Sequence, residues 1–83
     1  VKPYTLFVHG EVMNRLLQTT SARRQMLLAF FDRLAENPFQ DGDFVVNDSL
    51  DRKSQVKQVG RWLVTFYADH AVREIQVLDL QPL

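Results

Sequence analysis

Residues 55–80 hold three consecutive runs of aliphatic, aromatic and β-branched residues, broken only by Gly60 and by Asp69-His70. Turns this short join antiparallel neighbours, so the three runs are expected to form a meander. In the middle run, period two sets Trp62, Val64, Phe66 and Ala68 on one face and Arg61, Leu63, Thr65 and Tyr67 on the other. The first set is apolar and calls for a covering layer. The second carries a cation and a phenol and is expected to meet solvent or a partner. In the last run, Ala71, Arg73, Ile75, Val77 and Asp79 alternate with Val72, Glu74, Gln76, Leu78 and Leu80. Both sets are mixed, which leaves the facing of that strand open.

The covering layer is found in the first half of the chain. Residues 4–8 alternate as a first strand, with Pro3 at a position that needs no ladder donor and Gly10 ending the run. Residues 11–18 place Val12, Met13, Leu16 and Leu17 on one helical face, and Glu11 complements the positive end of the helix dipole. Thr19-Thr20-Ser21 supplies a break and a capping oxygen. Residues 22–36 repeat Ala22, Met26, Ala29, Phe30 and Leu34 at helical spacing, with Leu27 and Phe31 widening the stripe. The Met26, Phe30, Leu34 line is assigned to the core. Asn37-Pro38 ends this helix, because the residue before proline disfavours helical backbone. The two helices and their polar link predict a helical hairpin. Residues 39–43 read as a polar turn, 44–47 as a short strand of open register, and 49–53 as a turn rich in Asp and Ser.

The expected fold class is therefore α+β: one strand and a helical hairpin packed on a mostly antiparallel sheet of four or five strands. Residues 1–83 are expected to form a single domain, since a chain this short buries only about 60–65% of its unfolded surface. A hydrophobic fraction of 46% excludes disorder. No apolar run approaches the roughly 20 residues that span a bilayer, and no basic-then-apolar leader is visible. The absence of cysteine excludes disulfides, thiolate catalysis and cysteine-ligated zinc. A cytoplasmic location is the expectation. No metal and no cofactor is expected either: the spacing of Asp41, Asp43, Asp48 and Asp51 fits no calcium loop, and the three glycines stand apart from any phosphate-cradling pattern.

The net charge is zero, which argues against a general nucleic-acid binder. The charges are nonetheless segregated. Asp32, Glu36, Asp41, Asp43, Asp48 and Asp51 accompany a single base, Arg33, and then Arg52, Lys53, Lys57 and Arg61 follow without an acid. Two readings of that basic cluster stand: an RNA- or partner-facing patch, or a solvated hairpin paired with the acidic stretch before it. Lys57 and Arg61 flank Gly60 and are expected to lie close together. Tyr67 reads either as a proton shuttle or stacking surface, or as half-buried strand filler. His70 is assigned to the turn after Asp69, and His9 has no partner visible in sequence.

Strand, helical hairpin and meander in this order resemble the RelE/ParE toxin superfamily of bacterial type II toxin–antitoxin systems, which includes plasmid-stabilisation-like proteins. The resemblance rests on Leu34-Ala35-Glu36-Asn37-Pro38 at the end of the second helix and on Val59-Gly60-Arg61-Trp62-Leu63-Val64-Thr65-Phe66-Tyr67-Ala68-Asp69 in the meander. It covers almost the whole chain. It implies a toxin-like component that acts on ribosome-bound mRNA or on another protein target such as DNA gyrase, and that a cognate antitoxin neutralises. A homodimer, or a heterotetramer with the antitoxin, is the assembly it implies. In ribonuclease members, cations on the concave sheet face stabilise the transition state at phosphorus, and a proton acceptor activates the ribose 2′-hydroxyl. Carried onto this chain, the catalytic candidates are Lys57, Arg61 and Tyr67. The RNA- or partner-binding candidates are Arg52, Lys53, Lys57, Arg61 and Arg73. This chain has Leu63 where such members usually have arginine, and ends in Asp79-Leu80-Gln81-Pro82-Leu83 where they usually have bases. A non-catalytic, degenerate interaction module on the same scaffold is the alternative.

Overall fold

A computed structural model describes residues 4–47 and 51–83. Its elements are β1 (Thr5–Val8), α1 (Gly10–Gln18), α2 (Ser21–Glu36), β2 (Phe44–Asn47), β3 (Lys53–Val59), β4 (Trp62–Asp69) and β5 (Glu74–Pro82). The strands form one five-stranded sheet in the order β1-β5-β4-β3-β2. The β1–β5 pairing is parallel and the other three are antiparallel. This is the expected α+β architecture. Pro3 and residues 48–50, including part of the turn expected at 49–53, lie outside the described residues; Lys53 already belongs to β3.

Both helices cover one face of the sheet. Val12 and Leu16 of α1 join Leu27, Phe30, Phe31 and Leu34 of α2 in a buried cluster with Val59, Val64, Phe66, Ile75, Val77 and Leu80. Trp62 and Ala68 pack against it, so the apolar set of β4 faces the helices as its alternation predicts. The stripe of α2 is rotated by about one residue from the expected one. Met26 is 37% exposed rather than core, because Leu27, Phe30, Phe31 and Leu34 together centre the helix on the sheet. Met26 instead lies over the β3–β4 turn, where a Cβ added to Gly60 would sit 2.6 Å from its terminal methyl. In α1, Met13 and Leu17 are likewise exposed, leaving Val12 and Leu16 as the contact.

The link between the helices is fastened at both ends. The Thr20 hydroxyl accepts from the Arg23 N–H and caps α2. Arg24 reaches back to the end of α1, donating to the carbonyls of Leu16 (2.7 Å), Leu17 (3.2 Å) and Thr19 (3.1 Å). A helix C-terminus leaves its last carbonyls without intrahelical donors, and one guanidinium here satisfies three carbonyls at once.

The ambiguity of the last strand has a physical origin. Phe66 pairs with Val77 but Thr65 pairs with Asp79, so Leu78 is an extra residue in β5. Such a bulge shifts the alternation by one. Ile75 and Val77 before it, and Leu80 after it, consequently face the same core.

The two turns of the meander differ. Gly60 and Arg61 make a two-residue hairpin loop between Val59 and Trp62, with Gly60 at φ 60. Positive φ at the first central position is the geometry of a type II′ turn. The second turn is longer than the expected Asp69-His70. Asp69 pairs with Glu74, and the Asp69 carboxylate accepts from the Ala71 N–H at 3.1 Å. Ala71, Val72 and Arg73, expected in the strand, therefore belong to a four-residue loop whose last member, Arg73, has φ 55.

Gly42 crosses the backbone of β3 so closely that a Cβ there would lie 2.5 Å from the Val56 carbonyl oxygen, whereas Gly10 has open space. Gly42→Ala is expected to destabilise the fold by about 1–3 kcal/mol through overpacking. Gly10→Ala, in helical backbone, is expected to be neutral or to stabilise by up to about 1 kcal/mol. Urea midpoints of the two variants measure the contrast.

Candidate functional site

The face of the sheet without helices is the surface on which the sequence places its candidates. Register defines its membership, since paired residues point the same way. Leu63, Thr65, Tyr67 and Asp69 of β4 lie opposite the core set, and their partners on β5 are Gln81, Asp79, Gln76 and Glu74. On β3 the corresponding residues are Gln58 and Val56.

The expected cationic residues do not gather there. Lys57 pairs with Val64, a core residue, so it emerges on the helix-bearing side. The shared face expected for Lys57 and Tyr67 is thus not formed, because an odd register offset puts them on opposite sides. Lys53 alternates with Gln55, which pairs with core Phe66, and so also belongs to the helix-bearing side. Arg61 and Arg73 are exposed in the turns that precede β4 and β5. The length of β4 separates those turns, about 23 Å at the usual rise of a strand. The two arginines therefore do not converge on one phosphodiester.

Arg52 does reach the helix-free face. Its guanidinium stacks 4.1 Å above the Tyr67 ring and donates to the Tyr67 hydroxyl at 2.9 Å. Cation–π contact and hydrogen bond together hold the phenol in one orientation. Tyr67 is half-buried in the strand surface, with its hydroxyl bonded to Arg52. The acidic residues of the same face are Asp69, Glu74 and Asp79. Asp79 accepts two contacts from the Gln81 amide, at 3.1 and 3.0 Å. The described part of this surface is therefore rich in hydrogen-bonding groups and negative on balance.

Two solved structures share this architecture over nearly their full length. One is the archaeal RelE–RelB complex from Pyrococcus horikoshii, with a TM-score of 0.80, 20% identity, and coverage of 96% of this chain and 94% of that one. The other is the toxin–antitoxin complex RelBE2 from Mycobacterium tuberculosis, with a TM-score of 0.79, 15% identity, and coverage of 98% and 99%. The chain has a RelE-type fold. No protein-family model and no curated protein matches the sequence.

Within this RelE-type fold, Lys57 has a partner that segregated charge only hinted at. Its ammonium lies 3.3 Å from Asp43 Oδ1. Asp43 Oδ2 accepts from the Gln58 N–H at 2.7 Å, and the Asp43 N–H donates to the Val56 carbonyl at 2.7 Å. The carboxylate thus occupies the edge of β3 just before the start of β2. For Lys57, the solvated-hairpin reading of the basic cluster is the one realised.

Three aromatic residues form a group that sequence reasoning missed. Phe39 and His70 stack with centroids 4.6 Å apart and planes 9° apart. Tyr4 meets both rings edge-on, and its hydroxyl lies 2.9 Å from His70 Nδ1. Tyr4 and His70 are 66 positions apart, so no local pattern signals the contact. His9 also acquires a partner, its Nε2–H donating to Gln76 Oε1 at 3.2 Å. Among the described residues, no group of three or more His, Asp or Glu is arranged to hold a metal ion, and no helix is long and apolar enough to cross a membrane.

The Gln58 N–H, followed by the Lys57 ammonium, holds the Asp43 carboxyl below its ordinary value of 3.8. A depressed folded-state pKa stabilises the fold above the unfolded value and ceases to do so as pH falls through the folded one. Stability is therefore expected to drop as pH is lowered past 3.8, and Asp43→Asn to flatten that part of the curve. Thermal melts of both proteins between neutral and acid pH test this; an unchanged slope in the variant would refute it.

Proposed function

We propose that this chain is the toxin-like component of a type II toxin–antitoxin module, acting in the cytoplasm and neutralised by a small cognate antitoxin. The observation that carries the reading is the near full-length correspondence with chains from two complexes of this kind, RelE–RelB and RelBE2. The open edge of the sheet supports it. Among the described residues β2 pairs only with β3, and its apolar residues Phe44, Val45 and Val46 are 49%, 51% and 37% exposed. An unpaired apolar edge is a template for an added strand, and an extended antitoxin segment is the occupant that fits it.

The chemistry of the helix-free face favours a protein target over RNA cleavage. A scissile phosphate needs converging cations, and here Arg52 shares its face with Asp69, Glu74 and Asp79, with Leu63 paired to Gln81. The same observation favours the second reading, a non-catalytic interaction module on this scaffold. Lys57, Arg61 and Tyr67 remain the candidates for catalysis, and Arg52, Lys53, Lys57, Arg61 and Arg73 those for target binding.

Expression of the chain alone in bacteria is expected to arrest growth, with ribosome-bound mRNA intact and full rescue by the product of an adjacent antitoxin-like reading frame. Normal growth would replace the toxin reading with the interaction module. Cleaved mRNA, with rescue by the double variant Lys57→Ala/Arg61→Ala, would instead establish the ribonuclease.

Phe44→Lys and Val45→Lys alter exposed positions and are expected to change stability by no more than about 0.5 kcal/mol. Each is expected to weaken antitoxin binding by roughly tenfold or more in titration calorimetry. Unchanged affinity would remove β2 from the interface.

A further inference from the structure

A concave site lies on the helix-bearing side of the sheet and beside β2, since its Lys53 and Gln55 pair with Asn47 and Val45. Past the end of α2, the segment Pro38-Phe39-Gln40-Asp41 stands over β3 and β4 and encloses a cleft. Phe66 and Ala68 line its apolar part, Gln40, Asp41, Lys53 and Gln55 its polar part, and Phe39 and His70 are part of its wall. Clefts in which apolar surface meets a few convergent polar groups are the usual form of ligand sites.

The wall is organised in advance. His70 is held by its turn, by the Tyr4 hydroxyl at 2.9 Å and by its stack on Phe39. Gln55 is fixed by the Gly42 N–H, which donates to its Oε1 at 2.9 Å. Yet Phe39 remains 72% exposed. Burial of a large aromatic ring is favourable, so a ring that is held in place on one face and left open on the other is a stacking platform awaiting a second plane. Planar ligands with polar edges and a negative charge suit the remaining groups: a cation in Lys53, and acceptors and donors in Asp41, Gln40 and Gln55.

We propose that this cleft binds a nucleoside monophosphate unit, its base stacked on Phe39 and its phosphate paired with Lys53. Aromatic stacking with a nearby cation is the way in which proteins hold unpaired bases. The Asp41 carboxylate can only accept hydrogen bonds, so it suits base edges that present donors, whether an exocyclic amine or a ring N–H. The unit is either a free nucleotide or one residue of single-stranded RNA. The site shares Lys53 and Tyr67 with the candidates named for the toxin-like reading and adjoins β2, but mononucleotide binding to the isolated chain does not require that reading.

Titration of the 15N-labelled chain with AMP, CMP, GMP and UMP, followed by NMR, tests the proposal. Saturable shifts are expected at Phe39, Asp41, Gln55 and His70. Phe39→Leu keeps apolar bulk but removes the aromatic face, and is expected to weaken binding by about tenfold. Lys53→Gln is expected to weaken AMP but leave adenosine unchanged, and inorganic phosphate alone to produce no shift at Phe39. A triadenylate that binds more tightly than AMP identifies RNA as the source, and equal affinity identifies the free nucleotide. Absence of saturable shifts at these residues, or wild-type affinity in a Phe39→Leu protein with an unchanged melting temperature, would overturn the proposal.

Discussion

The parallel pairing of β1 with β5 is the contact on which the remainder of the molecule rests. It joins Thr5 to Glu74 and Val8 to Val77, nearly the full length of the chain apart. The last strand thereby lies between the first strand and β4, and its Ile75, Val77 and Leu80 are all 0% exposed. Helix α1 lies on this strand, and the edge order of the sheet follows from it. The bulge at Leu78 lets one strand serve the whole core. With Leu78 in regular register instead of a bulge, Leu80 would point to the open face and an acidic residue, Asp79, would point into the apolar cluster.

Charge follows the same geometry. Four bases within ten positions suggest a patch, but a strand sends neighbours to opposite sides and a turn sends them outward. Arg52 therefore stacks on Tyr67, Lys57 meets Asp43 on the other side of the sheet, and Arg61 stands in the hairpin loop. The helix-free face is left with more carboxylates than cations. A RelE-type scaffold with this surface brings few cations together on its helix-free face.

The candidate site was legible in unequal parts. Tyr67 is recognisable from the alternation of β4 alone, because period two is a local rule. Its partner Arg52 is not, since nothing local says which way the chain approaches the strand. Asp43 looked like an ordinary loop aspartate until the crossing of β3 showed it bonded to both Gln58 and Lys57. The stack of Tyr4, Phe39 and His70 assembles three segments that meet only when the sheet closes.

The sequence alone determined the element types, the apolar face of β4, the capped start of α2 and the Gly60 turn, all of which rest on interactions between residues a few positions apart. Tertiary structure decided the strand order, the bulge that reconciles the two mixed sets of β5, the outward rotation of Met26 and the dispersal of the basic cluster. Each of these depends on which distant surface a segment meets, and burial against that surface outweighs the weaker preferences of local pattern. The meander announced the architecture, but only its pairing with a strand from the opposite end of the chain decided which of its side chains share a face.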